Sequence, residues 1–168
     1  MYYRVLVVAT YDSFLKAGVN VARRIMHSHI DIAIQYVKKR QLSMRQLSES
    51  GADKYQILDF RLLSDYDFSK YDIVVVSLGN IASIRLIDRL NMLDVRPLII
   101  SCFSGVIFGN TESISARIHS DILLTNNESD LVVAKNIAKE YNLDTKIINY
   151  GLVNIDTSLF DFRFRKNS

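Results

Sequence analysis

Tyr71-Asp72-Ile73-Val74-Val75-Val76-Ser77-Leu78 is an apolar run that turns at Gly79-Asn80 and continues through Ile81 to Leu93. A second run, Pro97-Leu98-Ile99-Ile100-Ser101-Cys102-Phe103, follows and stops at Ser104-Gly105. Both runs are β-branched and continuous rather than alternating, which is the pattern of parallel strands shielded by helices on both faces. Residues 71–109 therefore read as one strand-helix-strand unit. In such a unit ligand chemistry belongs to the loops leaving the strand ends, here Leu78 to Asn80 and Phe103 to Asn110.

Working outward toward the N-terminus, Tyr3–Ala9 has the composition and length of a strand, and Thr10-Tyr11-Asp12-Ser13 is a polar turn in which Asp12 or Ser13 can cap a helix. The spacing of Phe14, Ala17, Val21, Ala22, Ile25 and Met26 predicts that helix to about His29, with those residues on its buried stripe. Ile30 to Val37 alternates around Asp31 and Gln35 and reads as a strand nearer the sheet edge. Lys38 to Ser50 reads as a short helix stopped by Gly51, and Tyr55 to Phe60 as a third strand.

Toward the C-terminus, Thr111 to Ile118 predicts a short helix and Asp121 to Thr125 a strand ending at Asn126-Asn127. A helix capped by Asn127 or Ser129 follows, with Leu131, Ala134, Ile137, Ala138 and Tyr141 as its apolar face; Lys146 to Tyr150 is a last strand closed by Gly151. Strand and helix thus alternate through about seven strands. The expected fold is a three-layer, Rossmann-like, doubly wound α/β domain with a mostly parallel sheet and right-handed crossovers. One domain over 1–151 fits the length of 168 residues, with 152–168, which carries Phe160, Phe162 and Phe164, as a tail or the start of a crossover to a second domain. The single proline, Pro97, stands where a strand begins and costs no ladder bond.

Composition narrows the function. No run of about 18 apolar residues appears, and the lone Cys102 sits in an apolar run and builds neither a disulfide nor a thiolate cluster. A cytoplasmic protein is expected, or one peripheral to the inner face of a membrane. The net charge of +3 conceals a gradient, because residues 1–50 carry eight Lys or Arg against three acids. That basic portion suits an anionic surface such as phospholipid headgroups or a phosphate-bearing substrate, but reads better as solvated faces of helix ends. Nucleic acid is not expected, since no binding motif interleaves the basic residues.

The first strand-helix turn, Ala9 to Phe14, lacks Gly-x-Gly-x-x-Gly, and its first following glycine is Gly18, so a dinucleotide cofactor is not expected there. Neither a phosphate-cradling Gly-Lys-Ser/Thr loop nor a Gly-x-Ser-x-Gly nucleophile turn occurs. Asp65-Tyr66-Asp67 has the spacing of a metal-holding Asp-x-Asp pair, but it precedes a strand instead of following one and reads better as a solvated loop. His27, His29 and His119 have no second ligand at helical spacing, and no metal site is expected. The turn from Ser104-Gly105 to Gly109-Asn110 brackets Val106-Ile107-Phe108 with glycines whose bare backbone can approach a ligand, with Glu112 close behind as a base. Asp12, at the mouth of the first strand, is either a second candidate base or a helix cap.

The ordered features resemble the N-terminal half of a GT-B glycosyltransferase, the two-domain architecture that makes many bacterial cell-surface polysaccharides. The residues that carry the resemblance are Tyr71 to Ser77 with Gly79-Asn80, Arg96 to Ser101 with Phe103-Ser104-Gly105, His119 to Glu128, and Lys146 to Leu152. The resemblance implies that this half binds a glycan or lipid-linked acceptor, and that a nucleotide-sugar donor is gripped by a second domain or subunit of about 150 residues or more. It implies catalysis by Asp12 or Glu112, acceptor contacts from Thr10, Tyr11, Ser13, Gly79, Asn80, Ser104, Gly105, Asn126 and Glu128, and no cofactor. The alternative is a non-catalytic subunit that docks a separate donor-binding chain or the membrane surface. A receiver or flavodoxin-like module fits less well, because the first turn offers one Asp12 where an acidic cluster or flavin-phosphate loop is needed.

Overall fold

The computed structural model describes residues 2–10, 12–35, 41–59 and 66–150. Its elements run β1 (Tyr3–Ala9), α1 (Asp12–Ala22), β2 (Ser28–Ile34), α2 (Met44–Ser50), β3 (Gln56–Asp59), β4 (Ile73–Ser77), α3 (Asn80–Asn91), β5 (Leu98–Ser101), α4 (Thr111–Ser115), β6 (Ile122–Thr125), α5 (Glu128–Glu140) and β7 (Lys146–Asn149). The seven strands form one sheet in the order β3-β2-β1-β4-β5-β6-β7, and every pairing is parallel. The α/β, Rossmann-like, doubly wound fold expected from the sequence is the fold observed.

Alternate residues of the central strands feed two cores. Val5, Val7 and Ala9 pack with Leu15, Val19 and Ala22 of α1, whereas Leu6, Val8, Val74 and Val76 pack with Leu86, Ile87 and Leu90 of α3. Hence α1 and α3 lie on opposite faces. A third core joins Leu123 to Ile114 of α4 and to Ala134 and Ala138 of α5. Because β1 and β4 are neighbours and their helices leave on opposite faces, the strand order reverses between them, and the carboxyl ends of these two strands are where such a fold places its ligands.

Two local expectations are corrected. Helix α1 stops at Ala22 instead of reaching His29, because its end tightens into Arg24 N to Val21 O and Ile25 N to Ala22 O bonds. His27 then takes a left-handed φ of 55°, and its carbonyl accepts the Tyr3 amide at 2.7 Å. The chain must already be extended at Ser28 to stay in register with Tyr3, which leaves Met26 64% exposed rather than on a buried stripe, and puts His29 on β2. Second, β2 lies next to the edge strand β3, as expected, but its residues from Ile30 to Ile34 are all buried rather than alternating. Asp31 is buried within it because the Tyr71 hydroxyl donates to its Oδ2 at 2.8 Å and His29 Nε2 stands 3.3 Å from its Oδ1. Asp31 is thus a buried carboxylate whose Oδ2 is hydrogen-bonded and whose Oδ1 has only the nearby His29 ring.

Smaller differences concern boundaries. Helix α2 starts at Met44 behind a Ser43–Gln46 capping box and ends at Gly51, whose φ of 76° suits glycine. Tyr141 is exposed at the end of α5, outside the apolar face assigned to it. Residues 36–40, which include Lys38 to Arg40, and the tail 151–168 lie outside the described residues.

Candidate functional site

The loops leaving the carboxyl ends of the strands form one rim, ordered as the strands are. Thr10 follows β1 and is buried; Tyr11 lies outside the described residues, and Asp12 opens α1 with its side chain outside the description. Ser13 is exposed and lines a shallow cavity of about 280 Å³ between α1 and α2, with Lys16, Gln46, Glu49 and Ser50. Gly79 and Asn80 form the β4–α3 turn, Ser104 and Gly105 follow β5, Asn126 follows β6, and Glu128 opens α5. Glu112 is exposed in the first turn of α4, whose cap is Asn110.

Two side chains that sequence reasoning missed, Arg117 and Asp130, hold this rim together with the expected Asn126. Arg117 is only 2% exposed. Its Nη1 donates to Asn80 Oδ1 at 2.9 Å and to Ser113 O at 2.7 Å, its Nη2 donates to Leu78 O at 2.6 Å, and its guanidinium lies 4.7 Å from the Phe103 ring centre. It thereby bolts the β4–α3 turn to the α4 segment, and Asn80 Nδ2 reaches Ser113 Oγ at 3.3 Å across the same seam. Burial lowers its pKa to about 10, and the neighbouring Cys102 opposes that shift. Cys102 is core, as expected, and burial pushes its thiol up.

Asp130 and Asn126 do the same for the loop after β5. Asn126 Nδ2 donates to Gly105 O at 2.6 Å, and the fully buried Asp130 accepts from the Gly109 amide and from Asn127 Nδ2, the latter at 2.8 Å. Between these anchors Phe108 has a φ of 51° and is 90% exposed, followed by Gly109 at 69°. A bulky residue in the left-handed region is strained, and strain held in place by surrounding bonds clusters at functional loops.

The turn at Gly79 is open. A Cβ there would meet nothing within 4 Å, and the same is true of Gly105. Gly79 has no side chain with which to cap α3, and no acid stands in that helix's first turn. The first turn of α3 therefore has neither a capping side chain nor an acid to offset the partial positive charge of its amides.

Not every candidate joins this cluster. Glu128 accepts from Asn149 Nδ2 at 3.3 Å and belongs to the β6–β7 end of the rim. Asp67 caps a 3-10 turn at Phe68–Lys70 by accepting from the Ser69 amide and hydroxyl, and the hydroxyl holds its carboxyl below the usual range; Asp65 lies outside the described residues. No group of three or more His, Cys, Asp or Glu poised for a metal occurs among the described residues. Among them, too, no helix is long and apolar enough to cross a membrane.

Compared with known proteins, residues 5–160 match the model of a family described as "Putative glycosyltransferase (DUF6716)". No curated protein matches the chain.

Proposed function

The chain belongs to that family, and on this premise we propose that it is the acceptor-binding half of a glycosyltransferase, moving a sugar from a nucleotide-sugar donor to a glycan or lipid-linked acceptor. The observation that carries the reading is the reversal of strand order between β1 and β4, with the open Gly79 and the pinned Gly105–Gly109 loop at the carboxyl ends beside it. Bare backbone at two adjacent strand ends admits a polyhydroxylated molecule close to main-chain donors and acceptors. The exposed Phe108 adds an apolar rim against which a sugar ring or a lipid stem packs.

In this reading Glu112 or Asp12 is the base. The carboxylate takes the acceptor hydroxyl proton as that oxygen bonds to the anomeric carbon, and the bond from that carbon to the donor's diphosphate breaks with its electron pair leaving on the diphosphate. Glu112 is solvated and adjoins Ser113, which touches the Gly79–Asn80 turn through Asn80. Thr10, Ser104, Asn126 and Glu128 extend the acceptor surface along the rim, with the donor held by a second domain or subunit.

The test is turnover. The full-length protein, incubated with a panel of nucleotide sugars and glycan or lipid-linked acceptors, is expected to release the nucleoside diphosphate, and Glu112→Gln or Asp12→Asn to lose that release. No release with any donor would remove the reading.

A further inference from the structure

A helix that packs on a sheet with one face ordinarily turns a polar face to water, and α3 does not. Leu86, Ile87 and Leu90 bury its inner side, yet Ile81, Ile84 and Met92 are 68%, 44% and 85% exposed on the outer side. Met92 is the cap residue and keeps helical angles, φ −90° and ψ −3°, so it continues that side. Ile81, Arg85, Asp88 and Met92 follow one another at steps of four, three and four and form a single row along the helix, with Ile84 beside it. Arg85 and Asp88 are the charges in the row. Both are exposed, and among the described residues neither makes an ion pair or a side-chain hydrogen bond, not even with the other one turn away.

The row is complementary to itself. When two identical helices lie antiparallel about a two-fold axis, each contact between one position and another occurs twice, once from each copy. With the axis passing between Leu86 and Ile87 in sequence, Ile81 stands opposite Met92 of the second copy, and Arg85 stands opposite its Asp88. Apolar ends close on apolar ends, and each unpaired charge meets its opposite. The register is also selective. Sliding one helix by three places sets Arg85 against Arg85 in one direction and Asp88 against Asp88 in the other.

We propose that the outer face of α3 is the contact surface of a two-fold homodimer of this chain, its helices packed antiparallel at the shallow angle of about 20° that keeps both ends of the row in contact. A membrane surface suits the row less, because Asp88 at its centre repels anionic headgroups. The 12-residue helix is about 18 Å long, a small strip beside the roughly 800 Å² that each partner covers in a standard interface, so the dimer forms at micromolar rather than nanomolar concentration. The inference is independent of the transferase reading.

Sedimentation velocity of the full chain from about 1 µM to about 1 mM is the test, and the average mass is expected to rise from one chain to two. Arg85→Glu alone sets acid against acid across the axis, and Asp88→Arg alone sets base against base, so each is expected to weaken the dimer at least about tenfold. Mixed one to one, the two variants oppose acid to base at every contact, and association is expected to return. Because these side chains are exposed, the circular dichroism spectrum stays that of the parent. A single-chain mass at every concentration, association undiminished by Arg85→Glu, or two variants that fail to associate when mixed overturns the proposal. Dimers that form only after residues 152–168 are removed would also overturn it and give the face to that segment, and vesicle binding lost in Ile81→Gln without self-association would give it to a membrane.

Discussion

Gly18→Ala tests how closely α1 lies on the sheet. In an exposed helix interior this change stabilises by about 1 kcal/mol, because glycine is the poorer helix former. Here the new methyl would lie 2.8 Å from Val7 Cγ1, closer than real Cβ contacts come, and 3.0 Å from Ser77 Cβ, tighter than most of them. Neither neighbour can withdraw. Val7 is buried in β1 and laddered between Ile32 and Val75, and Ser77 is fixed by its hydroxyl bond to Phe14 O at 2.6 Å. Overpacking of this kind costs about 1–3 kcal/mol, and two strands are struck at once, so the upper half of that range applies. The net expectation is a loss of about 1–2 kcal/mol, opposite in sign to the intrinsic preference. Urea unfolding reads it, with Gly105→Ala as the control, because that glycine has open space around it and no left-handed φ. Combining Gly18→Ala with Val7→Ala should recover at least about 1 kcal/mol relative to the sum of the single changes, since contacting pairs couple by about 0.5–3 kcal/mol. A Gly18→Ala protein at least as stable as its parent would refute the close-packing argument.

Tyr71→Phe removes the hydroxyl that satisfies Asp31 and is expected to cost about 1–3 kcal/mol by urea titration at neutral pH. Burial, then the bonds to Tyr66 and Asp31, push the Tyr71 phenol well above its ordinary range. The folded state therefore keeps a proton that the unfolded chain loses above about pH 10, and stability should be full below that pH and decline above it, less steeply in Tyr71→Phe. Phe108→Asn relaxes a left-handed residue and is expected to raise stability by roughly 0.5–1.5 kcal/mol, while lowering turnover if the ring packs on the acceptor; thermal unfolding and a transferase assay read the two effects separately. Asp130→Ala leaves the Gly109 amide without its carboxylate acceptor, so that amide should exchange with solvent at least about tenfold faster, with a smaller change in the strands.

The sheet was legible in the sequence because buried parallel strands announce themselves locally. Val74-Val75-Val76 and Leu98-Ile99-Ile100 have one interpretation at that length, and Gly51 and Asn127 mark helix ends by their own chemistry. The misreadings arose where a local pattern was overruled from a distance. The periodicity through Ile25 and Met26 is a helix pattern, yet Tyr3 claims the His27 carbonyl and forces the chain to extend. Asp31 gives no local sign that it is buried, because its partner, Tyr71, is 40 positions away.

The same reasoning explains why only half of the rim was visible. Gly79, Asn80, Ser104, Gly105 and Asn126 could be nominated because they follow apolar runs, and strand ends are where a wound sheet exposes backbone. The side chains that fix those residues carry no such mark. Arg117 lies in Ser115-Ala116-Arg117-Ile118, a stretch that reads as a helix end with a solvated base, and Asp130 reads as a carboxylate favouring the N-terminus of α5. Each is buried only because a loop closes over it, Leu78 to Asn80 in one case and Gly105 to Gly109 in the other. Arg117 fixes the turn's geometry through Leu78 O and Asn80 Oδ1, partners 39 and 37 positions away, and no local pattern around Arg117 announces bonds of that range.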